Sequence, residues 1–432
     1  MLALNIRFSH GSDAIFMGVR SLLCSVLVMA PTTSGAGEPR HVVGLADGRE
    51  GYDNASFATR SKAIIESSGE RLSLQQLSQG ASLGLPPLTV SLRSAEVDLG
   101  RKLFFDRRLS ANETLSCGLC HIPEQGFTQN ELATPVGNEG KGVRRNAPSL
   151  YNVVFARHLF WDGREASLED QVWSPLLALN EMANPSRKAV IERLRQHGAY
   201  SDEFSLVYEQ GLTQATFASA LAAYQQSLVA GSSRFDHWYF PEANPANQHP
   251  SILLSEEARR GFDVYQRSGC GSCHTLAEKY ALFTDGQFHN TGVAYHSAVR
   301  GIKLEVVQVA PGLFIEPTVE VETETFVDNG RAEVTRRQQD HWRYRTPTLR
   351  NVAITAPYMH DGSFRTLSEV LDYYEQGGSG DPHQDPRIQP FVLTAAERLQ
   401  LLAFLHSLTS DGVDALVADA RSVPIGERGT DG

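Results

Sequence analysis

The chain has 432 residues, and its 39 Lys and Arg against 50 Asp and Glu give a net charge of −11 at pH 7. At roughly 150 residues per domain, this length predicts two or three domains. The composition, 41% hydrophobic and 21% charged, is that of a globular protein with a substantial core. The acidic balance argues against a nucleic-acid-binding protein, which needs a basic face.

An apolar segment near the N-terminus, 21–30 (SLLCSVLVMA), is typical of a secretory signal. It is too short to span a bilayer, which takes about 20 residues. Arg20 precedes it and the small residues 34–36 follow it, as in a signal peptide cleaved after Ala36. The sequence therefore predicts an exported, periplasmic protein that is not transmembrane after cleavage and has lost Cys24 with the signal. A buried N-terminal helix is one alternative, and a lipid anchor at Cys24 is a minor one, since residues 21–23 fit a lipoprotein site poorly.

Two CxxCH motifs contain the other four cysteines. The first motif is Cys117–His121 (CGLCH), with Cys120 as its second thiol, and the second motif is Cys270–His274 (CGSCH), with Cys273. On a short helix, such thiols share one face and can bond to the vinyl groups of a haem while the histidine reaches the iron. A structural zinc site needs four ligands close together, and neither a thioredoxin-like pair nor disulfides would explain the histidines. The motifs predict two covalent haem c groups.

The motifs also indicate an internal duplication. Each follows a helix-like run, Leu99–Phe105 or Ala258–Tyr265, with apolar residues three to four apart, and the prolines of 241–250 predict a linker between the halves. The predicted division is a signal peptide (1–36), an N-terminal extension (37–90), a first cytochrome c-like domain (91–245), a second (251–415) and a C-terminal tail (416–432).

The predicted elements are mainly helical. In chain order, helices are expected at 73–82, 167–173, 188–196, 215–230, 255–267, 366–375 and 394–408, the last three opened by Ser or Thr caps. Residues 304–325 alternate around Ala310-Pro311-Gly312 and predict a β-hairpin. The predicted fold class is mainly α, with two cytochrome c-like helical domains, each holding one covalent haem c, and a small β-hairpin insertion.

Several ordered strings resemble the bacterial dihaem cytochrome c peroxidase family, and within it the MauG branch, over about residues 99–410. They are LGRKLFFDRRLS (99–110), RNAPSLYNV (145–153), FWDGREASLEDQ (160–171), NEM (180–182), TPTLRNVAITAPYMHDGSFRTLSEVLDYY (346–374) and LTAAERLQLLAFLHSL (393–408). The resemblance implies a haem peroxidase-type oxidoreductase with hydrogen peroxide as acceptor. It also implies a peroxide-binding first haem on His121 and an electron-transfer haem on His274.

The resemblance bears directly on the sixth ligand of the second haem. In the peroxidase branch a Met lies fourteen residues after the His of the PYxH motif, and in the MauG branch this residue is Tyr. Here His360 is followed at that spacing by Tyr374, which implies ligation by His274 and Tyr374. A phenolate stabilises oxidised iron, whereas a thioether favours ferrous iron. Alternatively, Tyr374 is a packed helix aromatic and Tyr373 or Met359 has another role.

The resemblance also implies a distal group at the first haem, formed by Gln171, Pro175 and Glu181. Glu181 would take a proton from the near oxygen of peroxide and return it to the leaving oxygen, which is general acid–base catalysis. By itself, a Glu in an Asn-Glu-Met string is usually a solvated surface residue.

Two further features are implied by the resemblance alone. Trp161 would lie between the haems and relay electrons, although a lone Trp beside a Phe is otherwise a core residue. A calcium ion between the haems would bind the side chain of Asn146 and the backbone carbonyls of Thr355 and Pro357, since calcium prefers oxygen ligands.

The sequence departs from the family pattern in two places. The hairpin at 304–325 is an insertion that could dock a partner. The MauG pattern has a Trp two residues before the second motif, placed to pass holes to a protein substrate, and here Ser268 occupies that position. Trp342, Tyr344 or the hairpin are the candidates for a different exit route.

Three functions remain open at this point. The first is a MauG-like enzyme that uses hydrogen peroxide to oxidise aromatic residues, mainly Trp, of a periplasmic partner protein by long-range electron transfer. The second is a cytochrome c peroxidase that takes electrons from a small cytochrome. The third is a plain dihaem electron carrier, which would need two six-coordinate haems and no distal acid.

Overall fold

The structure is a computed structural model that describes residues 83–196, 198–240, 254–295, 307–310, 313–315 and 328–423. They all belong to one compact unit, 47–432. The predicted signal peptide, the predicted helix at 73–82 and the predicted linker at 241–250 lie outside the described residues. No described helix combines the length and the apolar character that crossing a bilayer requires.

The fold is mainly helical, as predicted. The α-helices with described limits are α1 (Ser94–Phe104), α2 (Cys117–Cys120), α3 (Leu168–Gln171), α4 (Trp173–Leu177), α5 (Arg187–Gln196), α6 (Ala199–Val207), α7 (Gln214–Ser227), α8 (Arg234–Tyr239), α9 (Glu256–Arg267), α10 (Ala332–Thr335), α11 (Leu367–Glu375), α12 (Ala395–His406) and α13 (Val413–Ala420). The described strands are β1 (Phe288–His289), β2 (Val307–Ala310), β3 (Leu313–Ile315) and β4 (Tyr344–Arg345).

Side-chain caps begin three of the predicted helices where expected. Ser255 accepts a hydrogen bond from the third backbone N–H of α9, and Thr366 and Thr394 do the same for α11 and α12. In α11 and α12 the third residue is a Glu whose side chain accepts from the backbone of the cap in return. These bonds satisfy N–H groups that have no partner inside a helix.

The predicted helix at 167–173 is instead two short helices, α3 and α4, and extends to Leu177. The break has a covalent cause at Pro175. In a continuous helix, residue 175 would donate its N–H to the carbonyl of Gln171, and proline has no N–H. The corresponding segment of the second half has no proline and forms the continuous helix α11.

The two largest hydrophobic clusters of the described residues form most of the core, and each contains a pair of closely packed helices. In the first cluster α1 packs on α7, and in the second α9 packs on α12. Both crossings occur at a glycine: a Cβ on Gly100 would lie 1.9 Å from the Ala220 carbonyl oxygen, and one on Gly261 would lie 1.9 Å from that of Gln400. No larger residue allows this approach without a shift of the backbone.

The C-terminal residues are not only a tail. Helix α13 crosses the predicted boundary between 415 and 416, and its Leu416 and Ala420 are buried in the first cluster. The sequence that follows the second half therefore returns to pack on the first half. The remaining domain limits stay a prediction.

Of the hairpin predicted at 304–325, the described residues 307–310 and 313–315 form the expected pair of strands. Strands β2 and β3 are antiparallel, with Val307 opposite Ile315 and Ala310 opposite Leu313. A second antiparallel pair, β1 and β4, was not predicted; it joins 288–289 to 344–345 and so lies on either side of the hairpin in the sequence.

The duplication extends well beyond the two motifs. Asn152 and Asn351 both have a left-handed backbone, with φ 61°. Phe160 and Met359 are also both left-handed, with φ of 64° and 71° respectively. Both pairs are 199 residues apart, whereas the motifs are 153 apart. The second half therefore has 199 − 153 = 46 more residues after its motif, and these include the hairpin.

Candidate active site

The two motif histidines have the same hydrogen-bonding environment. His121 Nδ1 lies 2.9 Å from the carbonyl oxygen of Phe127, and His274 Nδ1 lies 3.0 Å from that of Phe283. Because a carbonyl can only accept, each Nδ1 is protonated and each Nε2 keeps its lone pair. Burial lowers the pKa of both histidines, which favours the neutral form that binds a metal.

The four motif cysteines are half-buried, and none of them forms a disulfide. Burial raises the pKa of Cys117 and Cys120 to about 12 and that of Cys270 to about 11. Two protonated thiols and an imidazole with a free Nε2 on one short turn are the donor set that covalent attachment of haem c requires. The residues present at both motifs fit this group.

A zinc site at the motifs finds no support in the described residues. The one group of three side chains with metal-binding atoms there is Cys273, Asp285 and His289. His289 places Nε2 at 2.8 Å from Asp285 and Nδ1 at 2.9 Å from Asp385. Both imidazole nitrogens therefore lie within hydrogen-bond distance of carboxylates.

The structure brings Glu181 to the first motif. Its carboxylate is one of the charges that raise the pKa of both Cys117 and Cys120, although burial is the larger cause. Burial also raises the pKa of Glu181, an effect that the Arg164 guanidinium partly offsets. Glu181 is thus a half-buried carboxyl beside the first motif and not a solvated surface residue.

The other two predicted distal residues lie on the broken helix next to Glu181. The Pro175 carbonyl accepts a hydrogen bond from the N–H of Met182 at 3.1 Å, which ties α4 to the loop that contains Glu181. The Gln171 Oε1 atom is buried and has no hydrogen-bond partner among the described residues. An orphaned buried acceptor of this kind fits a bound hydrogen-bond donor at this position.

Tyr374 lies beside the second motif. Burial raises its pKa, and the charges of Tyr373, Cys270 and Cys273 add to the effect, which places its hydroxyl near the two thiols. The neighbouring Tyr373 has a different role, because its hydroxyl donates to the carbonyl of Thr291 at 2.9 Å. Tyr373 is thus the tyrosine bound to the surrounding backbone, and Tyr374 is the one directed to the motif.

The duplication relates Tyr374 to Pro175, because the two positions are 199 residues apart. The helices that contain them begin at equivalent caps, Ser167 and Thr366, each of which accepts from the third N–H of its helix. At equivalent places the second half has a phenol and the first half has a proline, which has no side-chain donor atom. The second half therefore offers a side-chain oxygen at this position, and the first half offers no side-chain donor atom there.

Trp161 lies where the two halves exchange hydrogen bonds. Its Nε1 donates to the carbonyl of Asn146 at 2.9 Å, and the N–H of Asn146 donates to the carbonyl of His360 at 2.8 Å. In return, the N–H of Arg345 donates to the carbonyl of Trp161 at 2.8 Å. Trp161 and His360 are 199 residues apart, and so are Asn146 and Arg345. The hydrogen bond from Arg345 to Trp161 is therefore the duplicated equivalent of the one from Asn146 to His360.

Asn146, the predicted side-chain ligand of calcium, lies at this junction. Asn146 is 4% exposed and donates its Nδ2 to the carbonyl of Ala133 at 3.1 Å, which leaves its Oδ1 as the atom for a cation. Its bond to His360 holds it beside the segment that contains Thr355 and Pro357. The arrangement fits an oxygen-ligated cation.

The residues considered for passing holes from the haems to a protein substrate differ in their surroundings. Ser268 ends α9, and its N–H donates to the carbonyl of Val264. Tyr344 is stacked on the ring of His360, with centroids 3.6 Å apart, and so reaches the junction. Trp342 contacts Tyr295, with centroids 5.7 Å apart, and its buried Nε1 has no hydrogen-bond partner among the described residues.

The family was tested by comparison with known proteins. The family described as di-haem cytochrome c peroxidase matches residues 94–244. The methylamine utilization protein MauG of Methylorubrum extorquens is 30% identical over 75% of this chain and 81% of that protein. The cytochrome-c peroxidase IdrP1 of Denitromonas iodatirespirans is 31% identical over 79% of this chain and 89% of that protein. The chain belongs to the di-haem cytochrome c peroxidase family.

A solved structure supports the same assignment for the fold. A MauG-like protein associated with microbial copper homeostasis superposes with a TM-score of 0.61 and 31% identity, covering 77% of this chain and 95% of that one. Family members are haem oxidoreductases that use peroxide, so the predicted enzyme class is confirmed. The relatives include both MauG proteins and cytochrome-c peroxidases at similar identity, and their names do not separate the two activities.

Proposed function

We propose that this family member is a MauG-like enzyme that uses hydrogen peroxide to oxidise aromatic residues, mainly Trp, of a partner protein. The observation that carries the proposal is the contrast between Tyr374 and Pro175 at equivalent positions of the two halves. A haem c on Cys117, Cys120 and His121 and another on the second motif would supply the iron that exchanges electrons. The duplicated histidine environments support this pair of cofactors.

At the first motif, the chain handles the protons of the reaction. Glu181 takes the proton from the near oxygen of peroxide and returns it to the leaving oxygen, which departs as water. Its burial holds the carboxyl in a weakly solvated place where a proton can be both accepted and released. Because Pro175 has no side-chain donor atom, it would not bind the iron of a haem held by His121, and peroxide could bind there instead.

At the second motif, His274 and Tyr374 are the residues that would hold the iron of a bound haem, with Tyr374 contributing a phenolate oxygen. An anionic oxygen stabilises oxidised iron and disfavours the ferrous state. Such a site accepts electrons poorly from ordinary cytochromes and is suited to share oxidising equivalents with the first site. Trp161, hydrogen-bonded into the junction between the halves, is placed to pass electrons from one site to the other.

The second candidate function is a cytochrome c peroxidase that takes electrons from a small cytochrome. It is favoured by the relatives named cytochrome-c peroxidases, one of which is 31% identical. The plain electron carrier is disfavoured, because it needs ligands on both faces of both haems and Pro175 offers none. We further propose export to the periplasm through the signal at 1–36, and a calcium ion on Asn146, Thr355 and Pro357.

Tyr374→Met tests the proposed ligand and the choice between the two functions. Thioether sulfur favours ferrous iron, so the variant should raise the reduction potential of one haem and gain peroxide turnover with a reduced small cytochrome. Tyr373→Phe is the matched control, since it removes the adjacent hydroxyl without touching the motif. Spectroelectrochemical titration gives the potentials, and an unchanged potential in Tyr374→Met would remove Tyr374 as a ligand.

A further inference from the structure

Arg345 is a half-buried arginine without an acidic partner. Its N–H donates to the carbonyl of Trp161, and its guanidinium makes one hydrogen bond, from Nε to the carbonyl of Phe160 at 3.4 Å. No carboxylate of the described residues lies within 4.0 Å of the guanidinium. Burial lowers the pKa of Arg345 to about 10, and no neighbouring acid offsets the effect.

The surroundings of Arg345 are cationic as well. Burial lowers the pKa of His158, and the charges of Arg331, Arg345 and Arg157 lower it further. Arg331 covers the ring of Phe288 at 4.4 Å and donates to two backbone carbonyls. Within the described part of the chain, neither Arg331 nor Arg157 has a carboxylate within ion-pair distance.

This cluster contrasts with the two most buried arginines of the described residues. Arg350 is 2% exposed and pairs with Asp236 at 2.7 Å, and Arg145 is 8% exposed and pairs with Asp328 at 2.6 Å. The chain as a whole has eleven more acidic than basic residues, so acids to pair with Arg345 are not scarce. In the part of the chain that the structure describes, four neighbouring basic side chains without a paired carboxylate are thus a specific feature of this region.

Withdrawing an unpaired guanidinium from water costs free energy, and this desolvation penalty falls when an anion accepts hydrogen bonds from its N–H groups. Arginine binds a carboxylate through two parallel N–H groups, which is its preferred partner geometry. Among the described residues, no carboxylate fills this role for Arg345, so a carboxylate from a bound group would satisfy its guanidinium.

The position of Arg345 indicates where that carboxylate originates. Arg345 lies two residues before Pro347, whose carbonyl faces the imidazole of His274, and its backbone is bonded to Trp161 at the junction between the halves. A haem c keeps two carboxylate side chains after attachment to its cysteines. We infer that Arg345 binds a propionate carboxylate of a bound haem at this junction, an inference that rests on the proposed haem attachment.

The pairing would make Arg345 a positioning residue that fixes one haem relative to Trp161. It would also place a positive charge near the iron, and a nearby positive charge favours the ferrous state over the ferric state. Removing the charge should therefore lower the reduction potential of the haem concerned. The haem whose potential moves identifies which propionate is bound.

The experiment compares holoproteins of wild type, Arg345→Gln and Arg345→Lys, with Arg343→Gln as the control. Arg343 is an exposed arginine of the same segment. Mass spectrometry first establishes that each protein contains two attached haems, so that failure of the proposed haem attachment is recognised separately. Spectroelectrochemistry then gives both potentials, and resonance Raman spectra report the propionate bending bands.

In Arg345→Gln, the ferric-to-ferrous ratio of one haem at a fixed poised potential should rise about tenfold, the effect of losing one charge-assisted hydrogen bond, and a propionate band should shift. Arg345→Lys should keep the reduction potential of this haem, because the positive charge remains. It should still shift the propionate bending band, because lysine lacks the two parallel N–H groups of the guanidinium. If Arg345→Gln does not retain haem, an unchanged band in Arg345→Lys overturns the inference.

Two other results would also overturn it. Wild-type potentials and bands in Arg345→Gln would show that no propionate is bound there. Saturable binding of succinate to the wild-type holoprotein, lost in Arg345→Gln with unchanged propionate bands, would assign the site to an external carboxylate instead of the haem.

Discussion

Replacing Arg350 with methionine should cost the protein about 3–5 kcal/mol of stability, because the change leaves a buried carboxylate without its partner. Arg350 is 2% exposed and Asp236 is 0% exposed. The guanidinium makes two hydrogen bonds to the Asp236 carboxylate, at 2.7 and 2.8 Å, and one to the carbonyl of Ala281 at 2.6 Å. It also donates to the carbonyl of Gly84. The pair thus joins four separate segments around the second hydrophobic cluster.

The size of the effect follows from burial and not from the presence of an ion pair as such. Arg260 and Glu256 form a similar pair on α9, but their side chains are 62% and 61% exposed. Arg260→Met should therefore cost only about 0.3–0.5 kcal/mol. The double variant Arg350→Met/Asp236→Asn should recover part of the loss, because no unpaired charge remains.

Urea unfolding of the holoproteins at pH 7, followed by circular dichroism, measures all three differences. A loss of stability in Arg350→Met no larger than that in Arg260→Met would show that burial of the ion pair does not set the size of the effect. Equal losses in the single Arg350 variant and in the double variant would show that the unpaired charge is not the cause.

Three further predictions concern catalysis, packing and the cation. Glu181→Gln should slow the reaction with peroxide by about 10²–10⁴-fold in stopped-flow measurements. The rate of the wild-type protein should rise as the pH increases through the raised pKa of Glu181, because the carboxylate must be unprotonated to accept a proton. If the same rise persists in Glu181→Gln, Glu181 is not its source. Gly261→Ala should lower the free energy of unfolding by about 1–3 kcal/mol, because the added Cβ forces α9 away from α12. In Gly142→Ala, an added Cβ meets nothing within 4 Å, so this control should melt at the wild-type temperature. A Gly261→Ala protein that melts at the same temperature as Gly142→Ala would contradict the close helix crossing. Chelation with EGTA should alter the spectrum of the first haem, and Asn146→Ala should reproduce the change without EGTA; a spectrum insensitive to both would argue against the calcium site.

Local patterns allowed much of the helical fold to be predicted. The Ser and Thr caps of α9, α11 and α12 form bonds within three residues, so the sequence near each helix start is sufficient to locate it. Helix α13 was missed because its partner surface is the first hydrophobic cluster, formed by residues far away in the sequence. The break after α3 was also missed, although the missing N–H of Pro175 was a usable signal.

The site was predictable where a motif fixes the chemistry and not where distant segments meet. The motif histidines were evident from CxxCH, but the carbonyls of Phe127 and Phe283 that orient them come from loops whose path no motif specifies. The exchange of hydrogen bonds between Asn146 and His360, and between Arg345 and Trp161, depends on how the two halves dock. Comparison of the halves at a spacing of 199 residues could have shown these equivalences from sequence alone.

The proposal that the two sites store the oxidising equivalents of peroxide depends on Tyr374 making the second site a poor electron acceptor. It is tested most directly by adding one equivalent of hydrogen peroxide to the oxidised holoprotein without any electron donor, and then titrating with ferrocyanide. We expect two oxidising equivalents to be recovered long after the peroxide has disappeared. Recovery of none, with peroxide consumed only when a reduced cytochrome is supplied, would contradict it.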